Sequence, residues 1–142
     1  MATHTHLPIY KVAYDLLDAV TDFARSMPRD FKQSIGGKIS AECIEIMVLV
    51  FRANVARDKE PHLIDLLERL QVAELLIRLA KDKRLISQGA YARAVELTTS
   101  IGKQANGWRR AAHRPHAPIG NIIEHEVPEA RRVVMEALEL QA

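Results

Sequence analysis

The chain has 142 residues, of which 48% are hydrophobic and 27% are charged, and this length and composition predict one globular domain with a modest core. It has no long uncharged apolar run, and its N-terminus has no basic segment followed by an apolar core. We therefore expect a cytoplasmic protein with neither a membrane span nor a signal peptide. The single cysteine, Cys43, excludes an internal disulfide and fits a reducing compartment.

The net charge of +2 is unevenly distributed along the chain. Residues 1–123 contain 18 Lys and Arg against 13 Asp and Glu, a net charge of +5, whereas residues 124–142 contain two against five, a net charge of −3. A basic body fits a polyanionic partner, although many ordinary helical proteins carry a similar charge.

Apolar residues recur every three or four positions in four consecutive segments, which is the period of a helix face. They predict helices over residues 8–26, 30–57, 61–84 and from 87 to about 108. Pro8 suits the first turn of the first helix, Pro28 prevents its continuation, and Ser87 is a suitable N-cap for the fourth. Because the connections are short, consecutive helices must be antiparallel neighbours. The predicted fold is an all-α, up-down-up-down four-helix bundle.

The second and third predicted helices are apolar on more than one side. In the second, one face holds Ile39, Cys43, Ile46, Met47, Val50 and Phe51, and a further set holds Ile44, Val48, Leu49 and Val55. In the third, the further set is Ile64, Leu75, Leu76 and Leu79. Such helices are either central in a bundle or bury a second face against another subunit. Gly36 and Gly37 weaken the second helix and either permit a close backbone approach or mark a bend.

The bundle is predicted to occupy residues 1–112, and residues 113–142 form a linker that contains proline and histidine, followed by a short acidic amphipathic tail. The apolar residues of this tail include Val133, Val134, Leu138 and Leu140. They favour docking, either onto this chain or onto a partner, over a free arm.

Sequence motifs for catalysis and for metal binding are absent. The chain has no Glu-x-x-His pair of the di-metal bundles, no nucleophile elbow, no phosphate-binding loop and no cysteine pair for zinc. Most of the histidines lie in flanks next to the helices, where we expect them to be solvated. We therefore expect a protein that is not an enzyme, with no catalytic residue, no bound metal and no cofactor.

Lysine and arginine residues cluster near the predicted helix ends and are the candidate nucleic-acid-binding residues. They are Arg25, Arg29 and Lys32 around the first connection, Arg78, Lys81, Lys83 and Arg84 at the end of the third helix, and Lys103, Arg109, Arg110 and Arg114 at the end of the fourth. In an up-down bundle the first two groups share one pole, and the third lies at the other. Each group also has a simpler interpretation, because cations near helix C-termini complement the helix dipole.

Five segments in order resemble a known family. They are LPIYKVAYDLL (7–17), MPRDFKQSIGGKI (27–39), VFRAN (50–54), RLAKDKRLIS (78–87) and IGKQANGWRR (101–110). Together they resemble the four-helix-bundle family that contains the accessory variability determinant of bacterial diversity-generating retroelements and proteins encoded in intervening sequences of ribosomal RNA genes. The resemblance covers about residues 7–112.

This resemblance implies a homopentameric barrel with a basic surface. It also implies two partners, a reverse transcriptase and RNA, and possibly DNA, in the mutagenic copying of a template repeat, with the accessory protein not acting as the polymerase. The alternative is a homo-oligomeric structural bundle of the intervening-sequence type with no nucleic-acid role.

The resemblance also bears on individual residues. It implies structural parts for Pro8, Tyr10, Gly36 and Gly37, puts Arg78 and Lys81 on the basic part of the third helix, and puts Gly107 and Trp108 at the end of the fourth. We expect Trp108 to be a packing anchor rather than a platform for base stacking, and the arginines that follow it to contact phosphates.

Overall fold

A computed structural model describes residues 6–113, and all regular secondary structure in this range is helical. The elements are α1 (Pro8–Arg25), α2 (Arg29–Phe31), a π-helical turn (Lys32–Gly36), α3 (Gly37–Val55), α4 (Glu60–Asp82) and α5 (Gln88–His113). The predicted tail (113–142) lies outside this range apart from His113, the last residue of α5. None of the described helices is long and apolar enough to cross a membrane.

The four long helices form a closed square in which each packs against two neighbours. Helix α1 contacts α3 and α5, and α4 contacts the same two helices from the opposite corner. The short connections make successive long helices antiparallel, which confirms the prediction of an all-α four-helix bundle. The ends of α1 and α4 and the starts of α3 and α5 therefore lie at one end of the bundle, called the first pole below. The other end is the second pole.

The core is a continuous apolar cluster to which all four long helices contribute. Leu16, Ile46, Leu66 and Ile101 are fully buried, one from each helix. Burial of a side chain of this size contributes about 1.5–3 kcal/mol relative to exposure, so the four helix faces together hold the bundle closed.

The second predicted helix is not a uniform α-helix. Its first residues form α2, and the π-helical turn then joins α2 to α3 without breaking the chain direction. The N–H of Gly37 donates to the carbonyl of Lys32, five residues earlier, as a π-helical hydrogen bond requires. An extra residue in a turn shifts the phase of the helical period, but α2 has only three residues before the turn, too few to show a period of their own.

Gly36 makes the close approach that the sequence suggested. A Cβ atom built on Gly36 would lie 3.0 Å from the Cβ of Ala24 and 3.3 Å from the sulfur of Met27. A Cβ on Gly37, by contrast, would meet no atom nearer than 4.0 Å. Only the first of the two glycines is therefore required for the packing of this segment on α1.

Two residues of α3 lie on the opposite side from the one predicted. Phe51 was assigned to the inner face but is 44% exposed, and Leu49 was assigned to the second face but is buried. The physical reason is the helical period. Leu49 lies three residues after the buried Ile46, whereas Phe51 lies seven residues after the exposed Ile44.

Candidate nucleic-acid interface

The first pole brings together seven of the predicted site residues from the first connection and the end of α4. They are Arg25, Arg29, Lys32, Arg78, Lys81, Lys83 and Arg84. Two contacts link the elements there. The ammonium of Lys83 lies 5.8 Å from the ring centre of Phe31, and that of Lys81 lies 4.8 Å from the ring centre of Tyr91. The prediction that these two groups share a pole is confirmed.

Three of these cations are already engaged with acidic neighbours. The guanidinium of Arg25 lies 2.9 Å from the carboxylate of Asp22, and the carboxylate of Asp82 lies 3.9 Å from both Arg78 and Lys81. These pairs are largely exposed, so each adds little to stability. Each nevertheless offsets a positive charge that a phosphate would otherwise meet.

The other four predicted cations of the first pole are exposed and have no ion-pair partner within residues 6–113. They are Arg29, Lys32, Lys83 and Arg84. Arg29 begins α2, Lys32 begins the π-helical turn three residues later, and Arg84 follows the end of α4. This set is positive charge at the first pole that no acidic side chain of the described residues offsets.

Arg84 has an unusual backbone conformation, with a φ of 60°. It follows the C-cap residue Lys83, and two hydrogen bonds close the helix end around it. The N–H of Leu85 donates to the carbonyl of Ala80 at 2.8 Å, and that of Arg84 donates to the carbonyl of Lys81 at 2.9 Å. This is the Schellman motif, whose left-handed position is usually occupied by glycine. An arginine there costs about 1 kcal/mol of backbone strain.

A groove of about 870 Å³ runs between α4 and α5 toward the second pole. Its lining includes Lys103, Arg109 and Arg110, so the structure brings these three predicted residues together in one surface. Arg114, the fourth predicted residue of this group, lies outside the described residues. Gly102 also lines the groove, and its lack of a side chain leaves the groove open at this position. A Cβ there would lie 3.4 Å from Leu70.

The three groove cations differ in their partners. The guanidinium of Arg109 is 2.7 Å from the carboxylate of Glu60, which ties the end of α5 to the start of α4. Lys103 and Arg110 are exposed and make no ion pair with any residue the structure describes. Arg109 therefore serves the fold, and Lys103 and Arg110 are available to a ligand.

The groove also contains polar residues that the sequence reasoning did not select. Thr99 and Asn106 line it beside Lys103 and Arg110. These four residues recur at intervals of four, three and four, so the sequence contains the pattern of a polar stripe along α5.

Outside the groove, Lys38 and Arg57 are further exposed cations that were not among the predicted site residues. Neither has an ion pair within residues 6–113.

Trp108 is 1% exposed and belongs to the core cluster, which confirms the expected packing anchor. Near it, Lys59 caps the end of α3. The Lys59 ammonium donates to the carbonyls of Ala53, Asn54 and Ala56 at 2.8, 3.3 and 2.9 Å and lies 5.9 Å from the indole ring centre. Burial lowers the pKa of Lys59 from its ordinary value. The buried indole face is unavailable for stacking on a base.

No group of three or more histidine, cysteine, aspartate or glutamate residues within the described range could hold a metal ion.

Burial, with a smaller effect of the neighbouring Glu42, raises the pKa of the Cys43 thiol to about 12. A thiol of such high pKa is a poor nucleophile near neutral pH. The absence of an enzymatic activity, a metal and a cofactor stays a prediction for the chain.

The bundle as described coincides with the extent of one family match. The family model described as bAvd-like matches residues 7–112, from the start of α1 almost to the end of α5. The chain belongs to the bAvd-like family. This confirms the resemblance to the family of the accessory variability determinant. No curated protein and no solved structure matches the chain.

Proposed function

We propose that this bAvd-like protein is a non-enzymatic accessory protein of a diversity-generating retroelement. In this role it binds RNA, possibly DNA, and a reverse transcriptase, and it supports mutagenic reverse transcription of template-repeat RNA. Such a role requires a cytoplasmic protein. The observation that carries the proposal is the family match over the whole bundle, supported by the uncompensated cations on two of its surfaces.

The nucleic-acid part of the proposal rests on charge that is both exposed and unpaired. Arg29, Lys32, Lys83 and Arg84 supply it at the first pole, and Lys103 and Arg110 supply it in the α4–α5 groove. A phosphate contact by such a residue releases condensed counterions without first breaking an ion pair. Four further cations already have acidic partners and should contribute less to RNA binding, namely Arg25, Arg78, Lys81 and Arg109.

The pentameric barrel implied by the family belongs to the same proposal. Ile44, Phe51 and Val55 are 51%, 44% and 55% exposed on one stripe of α3, and Leu75 is 68% exposed on α4. A monomer with this surface would leave a run of apolar side chains in water. Burial between five subunits removes it from water and repeats the cationic surfaces around a ring.

The second candidate is a homo-oligomeric structural bundle with no nucleic-acid role. The observation that favours it is that four of the ten described candidate residues already have acidic partners. In that case the cations serve only the helix ends and the surface ion pairs.

Reconstituted reverse transcription tests the proposed function. The full chain is added to a retroelement reverse transcriptase, its template RNA, nucleotides and magnesium, and complementary DNA is quantified. We expect the chain to raise the yield of complementary DNA and to co-purify with the polymerase, and we expect the chain alone to make none. No effect on yield together with no co-purification would contradict the proposal, and synthesis by the chain alone would contradict its non-enzymatic part.

A further inference from the structure

The α4–α5 groove combines a buried floor with a cationic rim. Leu70 and Thr98 are buried at its base, and the exposed Lys103 and Arg110 stand at its edge. Among the residues that the structure describes, Glu74 is the only acidic one in its lining. A groove of this kind suits a segment that is both acidic and amphipathic, because apolar and anionic groups are accommodated side by side.

The chain itself contains such a segment. Residues 124–142 carry five glutamates and two arginines, in contrast to the basic body of the protein. Apolar residues are interspersed with the charges, among them Val133, Val134, Leu138 and Leu140. The segment therefore matches the groove both in charge and in its apolar content.

The end of α5 brings this segment close to the groove. Helix α5 ends at His113, three residues after Arg110, so the chain leaves the bundle within about 5 Å along the helix axis of the cationic rim. The groove extends along α5 from Thr98 to Arg110, about 18 Å. The ten residues 114–123 can span up to about 35 Å when extended, which is enough to reach any part of it.

We infer that the α4–α5 groove binds the acidic segment 124–142 of the same chain. The glutamates of the segment meet Lys103 and Arg110, and its apolar residues cover the floor of the groove. On the proposed function, RNA needs the same two cations, so the segment acts as an intramolecular competitor that an RNA must displace.

Zero-length carbodiimide crosslinking of the full chain tests the docking without RNA. The reagent joins a lysine amine to a carboxylate that lies against it, and Lys103 is the one lysine in the lining of the groove that the structure describes. We expect links from Lys103 to glutamates of residues 124–142, within one chain, that decline at high salt. The exposed Lys38, on α3 near the first pole, is the control and should form no such link. A link between Lys103 and Glu74 would show that the reagent enters the groove.

The variant Glu129→Gln/Glu136→Gln/Glu139→Gln should lose most of the links to Lys103. It should also bind RNA at least about twofold more tightly, the factor for a groove that is occupied half of the time. Links that join differently isotope-labelled chains, or links no more frequent at Lys103 than at Lys38, overturn the inference. If the links within one chain form but no RNA binds, the docking stands and the proposed function fails.

Discussion

Individual residues at the first pole set how closely the helices pack and how charge is displayed there. Gly36 lies against Ala24 with no space for a side chain, whereas Gly37 faces open space. The sequence predicted a close approach for the pair of glycines as one of two alternatives. It could not tell which glycine makes the approach, because that depends on the rotation introduced by the π-helical turn.

Replacing Gly36 by alanine should destabilise the protein by about 1–3 kcal/mol, since the new Cβ would press the π-helical turn against Ala24 of α1. The matched change Gly37→Ala should be neutral or raise the free energy of unfolding by up to about 1 kcal/mol, because alanine is the better helix former. Denaturant unfolding of both variants checks this. Equal effects of the two changes would show that the contact with Ala24 is unimportant.

Arg84 combines a charge that has no ion pair within residues 6–113 with a left-handed backbone conformation. Substitutions there should therefore change the stability of the protein and its affinity for RNA independently. The change Arg84→Gly should raise the free energy of unfolding by about 1 kcal/mol, since glycine adopts this conformation without strain. The same change should weaken RNA binding. Arg84→Ala, which removes the charge but keeps the strain, should weaken RNA binding to the same extent and leave stability within about 0.5 kcal/mol. Unfolding and RNA-binding measurements on both variants test these two effects separately. A loss of stability in Arg84→Gly would contradict the Schellman assignment.

Cys43 should be inert in the folded protein. Burial raises the pKa of its thiol to about 12, so almost none is thiolate at pH 8. The pKa of the folded state lies above the ordinary value of 9.0, so the free energy of unfolding should fall as the pH rises above 9. The rate at which Cys43 reacts with a thiol reagent, with and without denaturant, measures how far folding protects the thiol. Equal rates in the two conditions would contradict the burial of Cys43.

At the scale of helices, periodicity predicted four helices, their order and their antiparallel packing. The ends were predicted within a few residues because Pro8, Pro28 and Ser87 mark them. Periodicity predicted that α4 and α5 are neighbours but not the groove between them, because the groove depends on the side chains along the contact, including the absence of one at Gly102. It also misassigned Leu49 and Phe51, since α3 is apolar around most of its circumference.

The apolar stripes of α3 and α4 should hold the assembly together. Phe51→Glu and Leu75→Glu should each break or weaken the oligomer, because each places a charge where the proposed interface is apolar. Val95→Glu, at an exposed apolar position of α5, is the control and should leave assembly unchanged. Light scattering should report about five times the 16.0 kDa chain for the parent and the control, and less for the two variants. A parent that is monomeric at micromolar concentration would contradict the proposed pentamer.

For the whole molecule, the distribution of charge decides between the two candidate functions. The sequence placed the cationic residues at the two poles, but it could not show which of them are neutralised, because Asp22, Asp82 and Glu60 become partners only when the helices form and pack. The structure leaves six of the candidate cations exposed and without an ion pair in the part of the chain it describes. They are Arg29, Lys32, Lys83, Arg84, Lys103 and Arg110.

The salt dependence of RNA binding by the full chain tests the central claim most directly. Each phosphate contact contributes about 0.7 to the logarithmic slope for a single strand. Removing three of the four unpaired candidate cations described at the first pole, as Arg29→Ala/Lys32→Ala/Arg84→Ala, or both in the groove, as Lys103→Ala/Arg110→Ala, should lower the affinity and flatten the slope. The control Arg25→Ala/Arg78→Ala/Arg93→Ala removes three cations that have acidic partners and should change the slope much less. A parent protein that binds no RNA, or an affinity and slope unchanged in both unpaired-cation variants, would contradict the account and favour the structural bundle.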